Sequence, residues 1–272
     1  MKVLLASPIL TSEFDSGIYI LQALSELGHH TIIWDYRLEP NKKIGMDYDL
    51  LLVNKGESID PDKFKSPKVC WYPDQLSRFT VKEKLEKYDR VYSINKPEDG
   101  FEFVEWLPGA YCPEVHRDLG LEKRYGAIYI GTCNSQRKLD WIRVTPLDIL
   151  FGNGWQENKI HAHPPQYSTR FATAVNQAHI AINIHQSNWG TNRKIFELVP
   201  CTFTLTDRVE GIEDIFGSLT DKMSFEASWE ALKLMDYYLE NEDERAKIWE
   251  QEKKIIEPYT YRNQVAKILE GL

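Results

Sequence analysis

The segment from Asn183 to Glu197 holds the residues with the clearest chemical potential in this chain of 272 residues. Its pattern predicts a short strand, a polar loop and then a helix whose first turn contains Arg193 and Lys194. The start of a helix presents unpaired N–H groups and a partial positive charge, so acidic side chains are favoured there. Two basic residues at this position therefore indicate an anionic ligand, such as a phosphate group.

Glu197 follows Arg193 by four residues, which places both side chains on one face of the predicted helix. The carboxylate could then bond a hydroxyl group of the molecule that carries the phosphate, and a nucleotide diphosphate sugar fits this arrangement. The same spacing also fits a surface ion pair, which contributes only about 0.2–0.5 kcal/mol. With the base before the acid, the pair has the weaker orientation. These residues alone leave both interpretations open.

A second group of possible ligands consists of His161, His163 and His185. Histidine is a common zinc ligand. Separately, Asp207 follows a predicted strand and could mimic a metal ligand. However, His161 and His163 lie in a loop bounded by prolines, where histidines at the surface or in contact with a nucleotide base are more common. Asp207 is more typical of a helix cap or a loop contact. The pattern favours these interpretations over a metal site.

The composition is that of an ordinary globular protein, with 42% hydrophobic and 27% charged residues. The formal net charge of −8 argues against binding of nucleic acid by bulk electrostatics, although it does not exclude a local basic groove. Four widely spaced cysteines match neither a metal site nor a redox pair, which predicts reduced thiols in a cytoplasmic protein. The sequence has no run of 18 apolar residues, so we expect no membrane span.

Apolar periodicity predicts strands and helices that alternate in two successive runs. The first run begins with a strand over residues 2–6 and a helix over 17–27, and the second begins at residue 127. This pattern predicts an α/β protein with two Rossmann-like domains that face each other across a cleft. We expect an N-terminal domain over 1–110 and a C-terminal domain over 111–272, with the last helix packing back on the N-terminal domain.

Several segments of the second half resemble motifs of the CgeB-like glycosyltransferases, which have the GT-B fold. The resemblance covers about 160 residues. The matching segments are Trp106 to Ala110 with Pro113 and His116, Ile128 to Gly131 with Arg137, Phe151 to Trp155, Asn183 with Arg193 and Glu197, Thr202 to Asp207, and Glu244–Arg245 with Tyr259 to Arg262. The first half resembles the family in general shape.

This resemblance implies an enzyme, a hexosyl- or pentosyltransferase, that moves a sugar from a nucleotide diphosphate donor to an acceptor. It further implies a GT-B-like fold whose second domain binds the donor, with no metal ion and no other cofactor. Carried over to this sequence, Glu197 bonds the ribose hydroxyls. Arg193, with Lys194 beside it, neutralises the diphosphate.

The resemblance assigns further donor contacts to two loops. Gly131 and Arg137 shape and charge the other side of the phosphate pocket. The loop from Trp155 to Pro165, which contains His163, lies where the family holds the nucleotide base. The acceptor is not implied, and a glycan, a protein, a small molecule and a nucleic acid all stay open.

A reaction that inverts the stereochemistry of the sugar needs a general base to take the proton of the acceptor. In this fold the base is expected on loops of the first domain, and the candidates are Glu13, Asp15 and Asp74. Asp15 also fits the N-cap of the predicted helix that begins at Gly17. A reaction that retains the stereochemistry needs no such base, and the sequence does not decide between the two courses.

Three other functions stay open at this point. A non-catalytic nucleotide- or sugar-binding module would keep Arg193 and Glu197 but need no carboxylate in the first domain. An isomerase of nucleotide sugars would share the donor site. A viral-type enzyme that glycosylates DNA bases would need a basic stripe beside the cleft, and the candidate lysines are Lys42, Lys43, Lys63, Lys65 and Lys68.

Overall fold

The structure, a computed structural model, describes residues 1–10, 16–40, 42–45, 47–56, 58–65, 67–76, 81–188 and 190–272. These residues form two compact units. Unit 1 comprises Met1–Ala110 and Tyr259–Leu272, and unit 2 comprises Tyr111–Pro258. Each unit is built on its own parallel sheet with flanking helices, which confirms the predicted α/β class with two Rossmann-like units.

Among the described residues, unit 1 contains a six-stranded parallel sheet in the order β2-β1-β3-β4-β5-β6. The strands are β1 (Lys2–Ala6), β2 (His30–Trp34), β3 (Leu50–Asn54), β4 (Lys68–Tyr72), β5 (Arg90–Ser93) and β6 (Val104–Trp106). The helices are α1 (Gly17–Glu26), α2 (Lys82–Leu85) and α10 (Tyr261–Glu270). Every residue of β3 is buried, as expected for an apolar strand covered on both faces of the sheet.

Unit 2 contains a five-stranded parallel sheet in the order β11-β10-β9-β7-β8, as far as the structure describes it. The strands are β7 (Tyr125–Ile130), β8 (Ile149–Phe151), β9 (Ala178–Asn183), β10 (Phe203–Asp207) and β11 (Ser224–Phe225). The helices are α3 (Gln136–Val144), α4 (Ser168–Asn176), α5 (Arg193–Leu198), α6 (Ile212–Phe216), α7 (Thr220–Met223), α8 (Ser228–Glu240) and α9 (Glu242–Ile256). Since β7 pairs with both β8 and β9, the strand order reverses at β7. Ligands of open α/β sheets bind at such reversals, outside the carboxyl ends of the strands.

The chain returns to unit 1 through its last helix. α10 packs on α1, and Tyr261 lies between the rings of Tyr19 and Trp71, with centroid distances of 5.2 and 5.9 Å. The Nε2 group of Gln264 donates a hydrogen bond to the carbonyl oxygen of Pro108 at 2.8 Å. The C-terminal segment is thus part of the core of unit 1.

The observed elements differ from the predicted ones mainly in unit 2. The apolar pattern did not predict the short elements α6, α7 and β11, which have five, four and two residues. Helix α5 begins at Arg193, where the side chain of Asn192 caps it by accepting from the N–H of Ile195. None of the helices formed by the described residues is both long and apolar enough to cross a membrane.

A buried carboxyl group lies between α9 and the sheet of unit 2. Glu252 is completely buried, and one of its oxygens accepts from the N–H of Thr204 at 3.2 Å. No described residue bonds the other oxygen, Oε1. Burial raises the pKa of Glu252 well above its ordinary value. In the unfolded chain a glutamate has a pKa of about 4.3, so the unfolded state loses this proton first as the pH rises.

We therefore expect the free energy of unfolding to fall as the pH rises from about 4.3 towards the raised pKa of Glu252. Glu252→Gln keeps the shape of the neutral acid and cannot ionise. Urea denaturation at pH 8 should show the variant to be more stable than the parent by about 1–3 kcal/mol, with little difference at pH 4.5. Glu250→Gln, on the exposed side of the same helix, is the control. Parallel pH dependences for Glu252→Gln and the parent would contradict this assignment.

Candidate functional site

The loops that follow β7, β9 and β10 meet at the carboxyl edge of the sheet of unit 2. The Nδ2 group of Asn134, after β7, donates to Oε1 of Gln186, after β9, at 3.2 Å. These are the loops on either side of the reversal in strand order. Segments that are far apart in sequence, around residues 131–137, 184–188 and 190–197, thereby lie at one edge of the sheet.

Arg137 is anchored by a buried carboxylate on this edge. Its Nε and Nη2 groups donate to Oδ2 of Asp207 at 3.0 and 2.8 Å. The other oxygen of Asp207 accepts from the backbone N–H of His185 at 2.9 Å and contacts Nδ1 of the same residue at 2.6 Å. Burial would raise the pKa of Asp207, but the charges and hydrogen bonds of His185 and Arg137 outweigh burial and lower it. The guanidinium of Arg137 is thus held in a fixed orientation by a carboxylate that is ionised at neutral pH.

A polar network continues from this anchor to the start of α5. The amide of Asn183 donates to Oγ1 of Thr206 at 3.0 Å, and Asn192 donates to Oδ1 of Asn183 at 3.1 Å. Asn192 is also the N-cap of α5. Hydrogen bonds between side chains therefore fix the position of Arg193 relative to the ends of β9 and β10.

Glu197 is nearly inaccessible to solvent, with 5% of its side chain exposed, and lies between two cations. Its Oε1 atom is 2.8 Å from Nε of Arg193, and its Oε2 atom is 3.8 Å from Nζ of Lys194. Burial would raise the pKa of Glu197, but the charges of Arg193 and Lys194 outweigh it and lower the pKa. The ion pair expected from the spacing thus exists, but it is buried rather than on the surface. Among these three side chains, two cations face one carboxylate.

Two further residues complete this cluster. Nζ of Lys194 lies 4.5 Å from the ring centroid of Phe171, and burial lowers the pKa of this lysine. His116 is buried, and its Nδ1 atom accepts from the N–H of Cys112 at 3.1 Å. Burial lowers the pKa of His116 to about 4, so the ring is neutral at physiological pH. The negative charge of Glu197 is therefore balanced by Arg193 and Lys194, not by His116.

Gly131 and Gly152 allow the loops after β7 and β8 to approach each other closely. A Cβ atom on Gly152 would lie 2.0 Å from the carbonyl oxygen of Gly131, and the φ angle of Gly152 is +142°. The same carbonyl accepts from Nε1 of the buried Trp155 at 2.8 Å. Trp155 is thus a packing residue that fixes the loop after β7.

Comparisons with known proteins agree with this architecture. Residues 139–270, just under half of the chain, match a family model described as Glycosyl transferase-like. The T4 phage β-glucosyltransferase is 16% identical, with a TM-score of 0.69, over 100% of this chain and 98% of that chain. The protein has the GT-B fold. The HepE protein of Anabaena, solved with UDP-glucose, is 12% identical over 100% of both chains, with a TM-score of 0.71.

A third GT-B structure is an α-glucosyltransferase in complex with UDP-glucose and DNA that contains an abasic site. It is 10% identical, with a TM-score of 0.65, over 99% of this chain and 98% of that chain. No curated protein sequence matches this chain. These findings support a glycosyltransferase and do not distinguish the CgeB-like group within that class.

The other predicted donor residue of this GT-B protein is His163. It is exposed, and its backbone extends the edge of β8 through a bond from its N–H to the carbonyl oxygen of Leu150 at 2.8 Å. Its ring packs against Phe151 and His161, with centroid distances of 5.4 and 5.2 Å. His163 thus lies in a loop beside β8, while His185 is buried against Asp207. The described residues contain no group of three or more His, Cys, Asp or Glu side chains that could hold a metal ion.

The predicted general bases belong to unit 1. Glu13 and Asp15 lie outside the described residues. Asp74 follows β4, and its carboxylate is 2.6 Å from Nζ of Lys55, which follows β3. The carbonyl oxygen of Asp74 accepts from Nδ2 of Asn95 at 3.0 Å. Lys55 has a φ of +79°, a conformation that costs energy in a residue with a side chain and is often found at functional sites.

The sequence analysis did not assign Asp207, His185 and His116 to the donor side of unit 2. Asp207 and His185 were considered as metal ligands, and His116 appeared only as part of a motif. Asp207 could have been recognised as a site residue because it is an acidic residue at the end of an apolar strand. Asp207 contacts His185 and Arg137, which are 22 and 70 residues away, so spacing along the chain could not reveal these contacts.

Proposed function

We propose that this protein transfers a sugar from a nucleotide diphosphate donor held in unit 2. The observation that carries the proposal is the buried carboxylate of Glu197 between Arg193 and Lys194. The two cations beside this carboxylate suit the negative charge of a diphosphate. A guanidinium presents five N–H donors in a planar fork that matches phosphate oxygens. The carboxylate of Glu197 can accept hydrogen bonds from ribose hydroxyls while it remains paired.

Arg137 is proposed to face the diphosphate from the other side of the reversal in strand order. Because Asp207 already holds the guanidinium of Arg137 in place, Arg137 need not reorient when the leaving group gains charge. Such preorganised groups stabilise developing charge effectively. Gly131 brings the backbone of the neighbouring loop close to the same edge. His163 is proposed to contact the nucleotide base from the loop beside β8.

UDP-glucose is the proposed first donor to test, because the structures of the T4 phage β-glucosyltransferase and the Anabaena HepE protein contain it.

The acceptor-side base is proposed to be Asp74, Glu13 or Asp15 in unit 1. With the leaving group neutralised by Arg193, Lys194 and Arg137, the reaction needs no metal ion. A structure of the T4 phage enzyme contains UDP and Mn²⁺, so activity should be compared with and without a chelator. We further propose a cytoplasmic location.

A thermal-shift screen of nucleotide diphosphates and their sugar conjugates tests the donor site directly. Ligand at 100 times its dissociation constant stabilises the native state by about 2.7 kcal/mol. We expect a uridine or guanosine diphosphate species to raise the melting temperature of the parent and not that of Glu197→Ala. Glu240→Ala, which changes an exposed carboxylate at the end of α8, is the control. If no nucleotide shifts the melting temperature of the parent, the donor site is wrong.

A DNA-modifying function is the second candidate, because structures over the whole chain include a DNA-modifying β-glucosyltransferase solved with and without uridine diphosphoglucose. Against it stand the net charge of −8 and the pairing of Lys42 with Glu39 and of Lys63 with Asp60. An assay with labelled UDP-glucose distinguishes the two candidate functions. The acceptors are oligosaccharides in one reaction and duplex DNA with hydroxylated bases in the other. Label in DNA alone would favour this second function.

A further inference from the structure

A surface groove of about 430 Å³ in unit 2 plays no part in the proposed donor site. It runs along one face of α8, where Trp229, Lys233 and Tyr237 follow one another at intervals of four residues. Arg208, which follows β10, and Glu226, which follows β11, form its other wall. The groove thus lies at the carboxyl ends of these two strands.

Trp229 and Tyr237 expose large aromatic surfaces on this groove, with 63% and 47% of their surfaces accessible. The opposite face of α8 supplies the core through Ala231, Met235 and Tyr238. The two aromatic residues are therefore not needed to close the core. Exposed aromatic surface rimmed by polar groups is characteristic of binding sites. A rise of 1.5 Å per residue separates the two residues by about 12 Å along the helix.

The charges of the groove nearly cancel. Nη2 of Arg208 is 2.6 Å from Oδ1 of Asp221, and Nη1 is 3.6 Å from Oε1 of Glu226. With Lys233 and Glu230 included, two bases face three acids. Such a surface has no excess positive charge to attract phosphate or sulfate. It does provide carboxylate oxygens and guanidinium N–H groups that can bond hydroxyl groups.

We infer that this groove binds a neutral oligosaccharide. The flat rings of Trp229 and Tyr237 match the apolar C–H faces of pyranose rings, and a distance of about 12 Å suits a chain of sugars better than one monosaccharide. The paired charges of Arg208, Asp221 and Glu226 bond the hydroxyl groups at the rim. This binding does not require the donor, so the groove stands apart from the proposed transferase function.

The experiment measures binding of maltohexaose, cellohexaose and a sulfated heparin hexasaccharide to the full chain without nucleotide, by titration calorimetry and tryptophan fluorescence. We expect at least one neutral hexasaccharide to bind at millimolar or lower concentration. Trp229→Ala and Tyr237→Ala should each weaken it about tenfold or more, equivalent to about 1.4 kcal/mol. Phe103→Ala removes a partly exposed aromatic side chain of unit 1 and should leave binding unchanged. Circular dichroism establishes that each variant is folded.

Three results would overturn the inference. They are the absence of binding by both neutral hexasaccharides, stronger binding of the sulfated one, and a dimer in sedimentation experiments that dissociates on Trp229→Ala. The last would make the groove a contact between copies of this chain. Failure of the donor screen would not affect this result, because the sugars are titrated without nucleotide.

Discussion

Arg193→Met is expected to lower the kcat of sugar transfer about 10²–10³-fold, the effect of removing one group that stabilises charge in a transition state. As the bond between the sugar and the diphosphate breaks, the leaving group gains negative charge, and Arg193 is the cation held closest to Glu197. Lys194 stays beside the carboxylate, so the variant is expected to fold. UDP release from UDP-glucose, with and without acceptors, measures the rate.

Two further variants make this prediction specific. Arg193→Lys keeps the charge but loses the planar fork, so its kcat should lie between that of the parent and that of Arg193→Met. Arg143→Met removes an exposed cation from α3 and should have no effect. A kcat for Arg193→Met within a fewfold of the parent value, at saturating donor, would show that Arg193 does not act on the leaving group.

Asp207→Asn is expected to destabilise the protein by about 3–5 kcal/mol, as happens when one partner of a buried ion pair is removed. The buried carboxylate accepts from Arg137 and His185, and an amide offers only one oxygen to these donors. Denaturant unfolding measures the loss. Asp140→Asn changes an exposed carboxylate on α3 and is the control. Equal stability of Asp207→Asn and the parent would show that the network does not hold the loops.

The same carboxylate predicts acid sensitivity. The pKa of Asp207 is lowered in the folded protein, whereas an unfolded aspartate has a pKa of about 3.9. The stability that Asp207 contributes is therefore fully present above about pH 4 and is lost as the pH falls through the folded pKa. The free energy of unfolding of the parent should fall more steeply below pH 4 than that of Asp207→Asn. Identical slopes in acid would contradict this pairing.

The sequence alone was sufficient to predict an α/β protein with two Rossmann-like domains and its class of function. Strand β1 has the predicted bounds, because a strand of a parallel sheet is a continuous apolar run that can be recognised without knowledge of its partners. The cations of Arg193 and Lys194 at a helix start indicated an anion site from local chemistry alone. The match to a Glycosyl transferase-like family model over residues 139–270 and the GT-B fold agree with the predicted class of protein, and the anion site stays a prediction.

The tertiary structure decided which groups neutralise each other. The spacing of Arg193 and Glu197 fitted both a surface pair and a ligand site, and only the burial of Glu197 shows that the pair is not a surface contact. Arg137 and Asp207 are 70 residues apart, so no local pattern could reveal their contact. Residues 259–272 belong to unit 1, where α10 packs on α1. Charge and burial act through space, whereas a sequence records only neighbours along the chain.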